Sequence, residues 1–283
     1  MSRISEIGFP GLGIKPFSID SVAFTIFNIE IAWYAVIITF GMIMAVAYCT
    51  FRARQVGISG DDVIDFALVA IPVGIIGARL YYILTKLEDF PTFRDWFAIR
   101  DGGLAIYGGI IGGALAVLVM ARIKKINFMA FADCTMPGII LAQAIGRWGN
   151  FCNGEAFGYE TDIFCRMSLN NFLTGYETMM VHPCFFYESF WNIIGFILIN
   201  IFYRKRRYDG QIFIAVCGWY GLGRAWIEGL RTDSLYLPPV FGIEFRISQV
   251  LAIGIFALCL GILIYHAVKK TDKPLYVKAN KKG

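Results

Sequence analysis

ISQVLAIGIFALCLGILIYHAV, residues 247–268, contains no acidic, lysine or arginine side chain over twenty-two positions. At 1.5 Å per residue a helix of that length reaches about 33 Å, enough to cross a hydrocarbon core of about 30 Å. Working back toward the N-terminus, the same criterion picks out 22–49, 63–84, 104–121, 128–145, 185–203 and 212–230. Of the 283 residues 57% are hydrophobic and 17% charged, against roughly 45–50% and about 25% in a soluble domain. Too little polar surface remains to coat a water-soluble globule. No Pro/Ser-rich linker or low-complexity tract separates the apolar stretches. The expectation is an all-α integral membrane protein, one polytopic domain over 1–283, built as a bundle of about seven transmembrane helices.

The loops after the odd-numbered spans, with the tail, carry fifteen of the 26 Lys+Arg, among them Arg122, Lys124, Lys125 and Arg204 to Arg207. The opposite segments, 1–20, 86–103, 147–182 and 231–246, carry nine, and Arg79 and Arg224 lie within spans. By the positive-inside rule the N-terminus is outside and the C-terminus cytoplasmic. The net charge of +5 is spread over short loop runs, which fits anionic lipid and not a nucleic-acid partner. The first twenty residues lack the basic start, short apolar core and A-x-A site of a cleaved signal peptide, so the first helix is expected to stay. Seven cysteines and two histidines show no metal-ligand spacing, so no metal is expected. Cys49, Cys134, Cys217 and Cys259 read as small hydrophobes in helices, while Cys152, Cys165 and Cys184 lie together outside, where a disulfide among them stays open.

The polar residues hardest to explain fall on that outer side. In Gly146-Arg147-Trp148-Gly149-Asn150-Phe151-Cys152-Asn153-Gly154-Glu155-Ala156-Phe157-Gly158, an arginine at the edge of a span calls for an anion or a carbonyl partner. The glycines would let a loop wrap around a ligand, and the Asn150 and Asn153 amides would orient ester or glycerol oxygens. A snorkelling arginine followed by a helix-stop loop accounts for the string equally well. In span six, Tyr220, Arg224, Glu228 and Arg231 at i, i+4, i+8 and i+11 share one helical face within roughly 80°. A structural ion pair of Glu228 with one arginine leaves the other without a partner, which favours an anionic substrate group. Between Gly102 and Gly113, paired glycines one turn apart read as a helix-packing seam, with Tyr107 in their midst as a phenol in a glycine-lined space or an interfacial anchor. His182-Pro183 with Tyr187-Glu188 at the head of span five offers a titrating group and a carboxylate. Tyr34 alone reads as a core or belt aromatic, and Arg79 as a residue that snorkels.

Taken together these residues resemble the phosphatidylglycerol:prolipoprotein diacylglyceryl transferases of bacterial plasma membranes. The similarity covers nearly the whole chain. The 146–158 string fills every fixed position of that family's signature, and Trp33-Tyr34, the glycine-rich third span, His182-Pro183, Tyr187-Glu188 and Arg224, Glu228 and Arg231 match in order. The resemblance implies a seven-helix fold with its N-terminus outside, and transfer of a diacylglyceryl group from phosphatidylglycerol to the lipobox cysteine of a prolipoprotein. The product is a thioether and the leaving group glycerol phosphate. It implies a multi-pass membrane monomer without a cofactor, its site toward the extracytoplasmic face, whose partners are phosphatidylglycerol and the lipobox signal peptide. Arg147, Asn150, Gly158, Tyr34, Glu228 and Arg224 correspond to positions the family depends on. Where many members have a histidine in the third-span glycine segment, this chain has Tyr107.

On this reading Arg147, Tyr107, Glu228 and Arg231 are the catalytic candidates. Tyr34, Asn150, Asn153, Glu155, Gly158, His182, Tyr187, Glu188 and Arg224 are the substrate-binding candidates. The phosphate is expected between Arg147 and the Arg224/Arg231 face, with Glu228 orienting one guanidinium; His182 and Glu155 both remain open as acceptor of the thiol proton. The rival readings are a lipid flippase or transporter, whose internal repeats are not visible here, a membrane scaffold, which needs no uncompensated arginines, and a transferase using another lipid donor.

Overall fold

A computed structural model of the chain describes residues 4–90, 95–97, 102–232, 236 and 245–277. In order along the chain come β1 (Ile4–Phe9), β2 (Ile14–Asp20), β3 (Val22–Ile26), β4 (Ile29–Ala32), α1 (Trp33–Arg54), α2 (Gly60–Thr85), α3 (Ile106–Ile123), α4 (Phe128–Asn153), β5 (Met167–Asn170), β6 (Met179–Val181), α5 (Cys184–Phe202), α6 (Gln211–Ile227) and α7 (Ile247–Val268), joined by short 3₁₀ turns. The chain is mostly helical, and among the described residues six of seven α-helices are long and apolar enough to cross a membrane. The other, α6, has 17 residues, about 25 Å at 1.5 Å per residue. Arg3, Arg94, Arg100, Lys278, Lys281 and Lys282, which enter the charge asymmetry, lie outside the described residues.

Two boundaries differ from the sequence reading for identifiable reasons. Val22 to Ala32 is not the start of a helix but the β3–β4 hairpin, because hydropathy alone does not separate helix from strand in a short apolar run. The all-α expectation also gives way to a second sheet, in the order β2-β1-β5-β6. α4 runs eight residues beyond the expected end at 145, so most of the glycine-rich string is helix rather than wrapping loop. Tertiary packing overrides the low helix propensity of glycine there: a Cβ on Gly149 would lie 2.8 Å from the Tyr34 ring. α7 coincides with its expected span at both ends.

The chain divides into two compact units. One contains residues up to Ala47 together with Thr135–Pro274. In it the four-stranded sheet buries Ile7, Met167, Leu169 and Val181 against Phe185 of α5 and Phe151 of α4, fixing the facing ends of those helices. α5 and α6 are clasped by two tryptophans. Trp191 Nε1 donates to the Trp219 carbonyl at 3.1 Å, Trp219 Nε1 donates to the Trp191 carbonyl at 3.0 Å, and the rings stack at 4.3 Å. Nothing in the sequence reading anticipated this reciprocal bond, which sets the register of α5 against α6.

The second unit, Tyr48–Cys134 with the described part of the tail, is built on α2 against α3. The glycine seam is borne out: a Cβ on Gly112 would lie 2.8 Å from the Val73 carbonyl oxygen, so only glycine lets the helices approach this closely. Ser59 caps α2 by accepting from the Asp62 amide at 3.0 Å. Lys124, past the end of α3, donates to Asp62 at 2.9 Å and Asp65 at 2.6 Å, and these carboxylates hold its pKa above the usual lysine value. Arg79 does not snorkel. It is 5% exposed, and its guanidinium donates to the carbonyls of Trp96 (3.0 Å), Gly102 (2.6 Å) and Gly103 (3.1 Å) with the Phe90 ring 4.9 Å away.

Candidate active site

Three helix ends in the first unit bring three arginines onto two carboxylates. Arg147 stands in the last two turns of α4, Glu188 in the second turn of α5, and Arg224 in the last turn of α6. Arg224 Nη1 donates to Glu188 Oε1 at 2.9 Å and Arg231 Nη1 to the same oxygen at 3.3 Å, while Arg147 Nη2 pairs with Oε2. Arg224 Nη2 also pairs with Glu228 Oε2 at i+4. Glu188 is therefore the hub, a place the sequence reading did not give it, because its partners come from two other spans. Among the described residues, the buried Glu188 and Glu228 are each ion-paired within this group of three guanidinium side chains. Of the three guanidinium side chains Arg147 is the most accessible, at 22% against 16% and 10% for Arg224 and Arg231.

Arg231 reaches the cluster by a different route from the one its spacing implied. α6 ends at Ile227, a 3₁₀ turn covers Glu228–Leu230, and Arg231 is extended, with φ −82° and ψ 147°. Its backbone bridges Gly158, and the Tyr159 amide donates to the Leu230 carbonyl at 2.9 Å. That strand-like pairing takes the place of a further helical turn. The expectation that a Glu228 pair leaves one arginine without a partner is overturned by Glu188. Gly158 has no room for a side chain, since a Cβ would lie 2.6 Å from the Leu230 oxygen and 2.7 Å from the His182 Cβ.

Around Arg147 the amides form a second layer. Its Nη1 donates to Asn150 Oδ1 at 3.4 Å, and Asn150 Nδ2 and Asn153 Nδ2 donate to Glu155 Oε1 at 3.0 and 3.2 Å. Glu155 thus meets Arg147 through the Asn150 amide. The tight turn that carries Glu155 depends on Gly154 at φ +62°, a left-handed conformation that glycine adopts freely. The Gly154 carbonyl accepts from the buried Asn171 side chain at 2.8 Å, and Asn171 also bonds Ser5 of β1 at 3.2 Å. Asn171 is a supporting residue with no sequence signal, because its partners are distant in the chain.

His182 lies between β6 and α5, its Nδ1 3.2 Å from the Tyr187 hydroxyl, which in turn lies 3.6 Å from Cys165 Sγ. Burial holds the His182 pKa below the usual imidazole value. All seven cysteines are free thiols. Tyr34, at the start of α1, packs on Gly149. Tyr107, second residue of α3, belongs to the other unit, where its ring lies 6.4 Å from that of Tyr81. Among the described residues no group of three His, Cys, Asp or Glu side chains is placed to hold a metal ion.

Next to the cluster runs an apolar groove of about 400 Å³ between α1, α4 and α5, lined by Val36, Ile37, Phe40, Leu141, Ile145 and Ile193 and closed at one side by Trp148 and Ser189. Trp148 and Ser189 directly follow Arg147 and Glu188 in sequence, and the Trp148 indole donates to the Ser189 hydroxyl at 3.2 Å. Charged donors beside an apolar trough are what an amphiphile with an anionic head requires.

The family model for prolipoprotein diacylglyceryl transferase matches residues 21–265. The chain is 42% identical over 256 residues to a phosphatidylglycerol–prolipoprotein diacylglyceryl transferase of Clostridioides difficile (strain 630), covering 90% of this chain and 97% of the relative. It is 38% identical over 274 residues to the protein of that name from Listeria monocytogenes serotype 4a (strain HCC23), covering 95% and 96%. For that of Enterococcus faecalis (strain ATCC 700802 / V583) the identity is 41% over 256 residues, covering 87% and 90%.

Proposed function

This chain belongs to the prolipoprotein diacylglyceryl transferase family, and we propose that it moves the diacylglyceryl group of phosphatidylglycerol onto the lipobox cysteine of a prolipoprotein in the bacterial plasma membrane. The observation that carries the reading is the sharing of Glu188 and Glu228 by three arginines beside an apolar groove. A phosphodiester headgroup is the anion these guanidinium groups take, and one acyl chain fills the groove. Arg147, the most accessible guanidinium, takes the phosphate with its planar fork, while Arg224 and Arg231, gathered on Glu188, supply positive potential behind it.

In the reaction the substrate's cysteine sulfur attacks the diacylglyceryl carbon that bears the phosphate ester. A C–S bond forms, the C–O bond breaks, and its electron pair leaves with glycerol phosphate. The thiol proton passes to a neighbouring base. A thiol of pKa about 8.5 is only a few per cent ionised at neutral pH, and the cationic site raises that fraction. Fixed guanidinium groups stabilise the charge that grows on the leaving phosphate. Glu155 is held as an acceptor by two amides, whereas burial of His182 lowers its pKa and favours the neutral ring, which can accept a proton. We assign the proton to His182, directly or through Tyr187. Tyr34 shapes the floor over Gly149. The enzyme works as a monomer with its site toward the extracytoplasmic face, in keeping with the charge asymmetry of the loops.

The test is incubation of the purified protein with phosphatidylglycerol and a lipobox peptide, followed by mass spectrometry. A diacylglyceryl mass on the peptide cysteine is expected, with glycerol phosphate released in equal amount. An unmodified peptide under conditions where phosphatidylglycerol binds overturns the assignment.

A further inference from the structure

The β3–β4 hairpin carries an apolar face that is largely exposed among the described residues. Its register pairs Phe24 with Ile31, Thr25 with Glu30 and Ile26 with Ile29. Residues paired across an antiparallel ladder point to the same side, so Phe24, Ile26, Ile29 and Ile31 form one face and Thr25 and Glu30 the other. Phe24, Ile26 and Ile29 are each about half exposed, and Phe27 at the tip is 96% exposed. The two turn residues, Phe27 at φ +47° and Asn28 at φ +61°, make the left-handed pair of a two-residue hairpin turn. Glycine or asparagine adopts that conformation with little strain, whereas an aromatic side chain at positive φ is an outlier. Strain of this kind is retained where the residue is needed for something other than the turn itself.

We propose that this hairpin is an amphipathic arm that lies in the membrane interface, with Phe27 and the Phe24/Ile26/Ile29 face seated among the lipids of the leaflet at the N-terminal end of α1. Continuity with the membrane-spanning helix selects lipid as the occupant. β4 ends at Ala32 and α1 begins at Trp33 without an intervening residue. The Trp33 amide donates to the Ser21 carbonyl at 2.9 Å, closing the base of the hairpin on the first residue of the helix. A hairpin tied in this way to the end of an apolar 22-residue helix has its strands within reach of the headgroup region, about 15 Å at 3.3 Å per residue. Trp33 and Tyr34 mark the same level, where such rings collect. An apolar face buried in the headgroup boundary and a polar face in water is the arrangement by which interfacial amphipathic elements bind. The arm does not depend on the transferase reading and holds for any membrane protein with this hairpin.

The test places photoreactive p-benzoylphenylalanine at Phe27, Phe24 or Thr25, one position at a time, in the full-length protein in its native bacterial membrane. After illumination and digestion, mass spectrometry identifies what is attached to each position. Phospholipid adducts at Phe27 and Phe24, several-fold more abundant than at Thr25, are the expected result. Adducts to a polypeptide at Phe27, equal lipid labelling of the three positions, or no lipid adduct at Phe27 overturns the proposal. Because the readout is the adduct and not turnover, failure of the peptide-modification assay would leave it standing.

Discussion

Arg79 and the Arg147, Arg224 and Arg231 group put the same side chain into the same kind of apolar helical surroundings and satisfy it in opposite ways. The described partners of Arg79 include three backbone carbonyls and an aromatic face. Those carbonyls come from the described backbone at Trp96, Gly102 and Gly103. The three arginines of the first unit are met by the carboxylates of Glu188 and Glu228. Guanidinium groups already held by ion pairs and left partly accessible, Arg147 most of all, can exchange a carboxylate for a phosphate or be shared between the two. Burial of an arginine alone therefore does not mark a functional site. The nature of its acceptors does.

The largest effect that would break this contrast is expected at Arg147 and Glu188. Arg147→Ala leaves Glu188 still paired with Arg224 and Arg231, so the protein should stay folded while transfer falls by about 10²–10³-fold, the usual cost of losing a fixed donor to developing charge. Glu188→Gln should match that loss and add instability of about 3–5 kcal/mol, since it strands guanidinium groups without their buried partner. Rates are measured by peptide modification and stability by thermal unfolding in detergent. Arg147→Ala activity within about tenfold of wild type would make the cluster as structural as Arg79.

A smaller effect is expected at His182. The neutral form that accepts a proton persists below the ordinary imidazole pKa of about 6.5, because burial lowers the value in the folded protein. Activity should hold through neutral pH and decline only as pH falls through the lowered value; folded stability contributed by the neutral ring is lost in the same window. His182→Gln should remove that acid limb and slow transfer by roughly a hundredfold or less, the low end for general-base catalysis. If the limb survives in the variant, the proton goes elsewhere, and Glu155 is the remaining acceptor.

Much of this contrast was legible in the sequence only as a list of parts. The apolar run at 247–268 gave α7 at both ends because no competing pattern interrupts it. Val22 to Ala32 misled because a short apolar run carries no reliable period, and the alternation of Thr25 and Glu30 with their neighbours is brief. The i, i+4 pair of Arg224 and Glu228 was visible because a helix places such residues together. The meeting of Arg147, Arg224 and Arg231 on Glu188 was not, since it depends on the register of three helices. That register is set by contacts such as the Trp191–Trp219 clasp and the Asn171–Gly154 bond, which local spacing does not encode.

The smallest effect on turnover, and the sharpest control, belongs to Arg79. Its three carbonyl acceptors lie at 2.6–3.1 Å, and two of them come from Gly102 and Gly103, whose positive φ values turn the chain toward the guanidinium. Hydrogen bonds made by a charged donor contribute about 1.5–3 kcal/mol each at most, and losing a set of them removes the tie between α2 and the backbone at Gly102 and Gly103. Arg79→Gln should therefore lower the unfolding temperature while kcat, measured below that temperature, stays within about threefold of wild type. Arg79→Lys keeps the charge but not the planar fork, so it should recover only part of the lost stability. A collapse of kcat in a folded Arg79→Gln protein would instead make Arg79 a working residue, and acceptor chemistry would no longer separate a structural arginine from a working one.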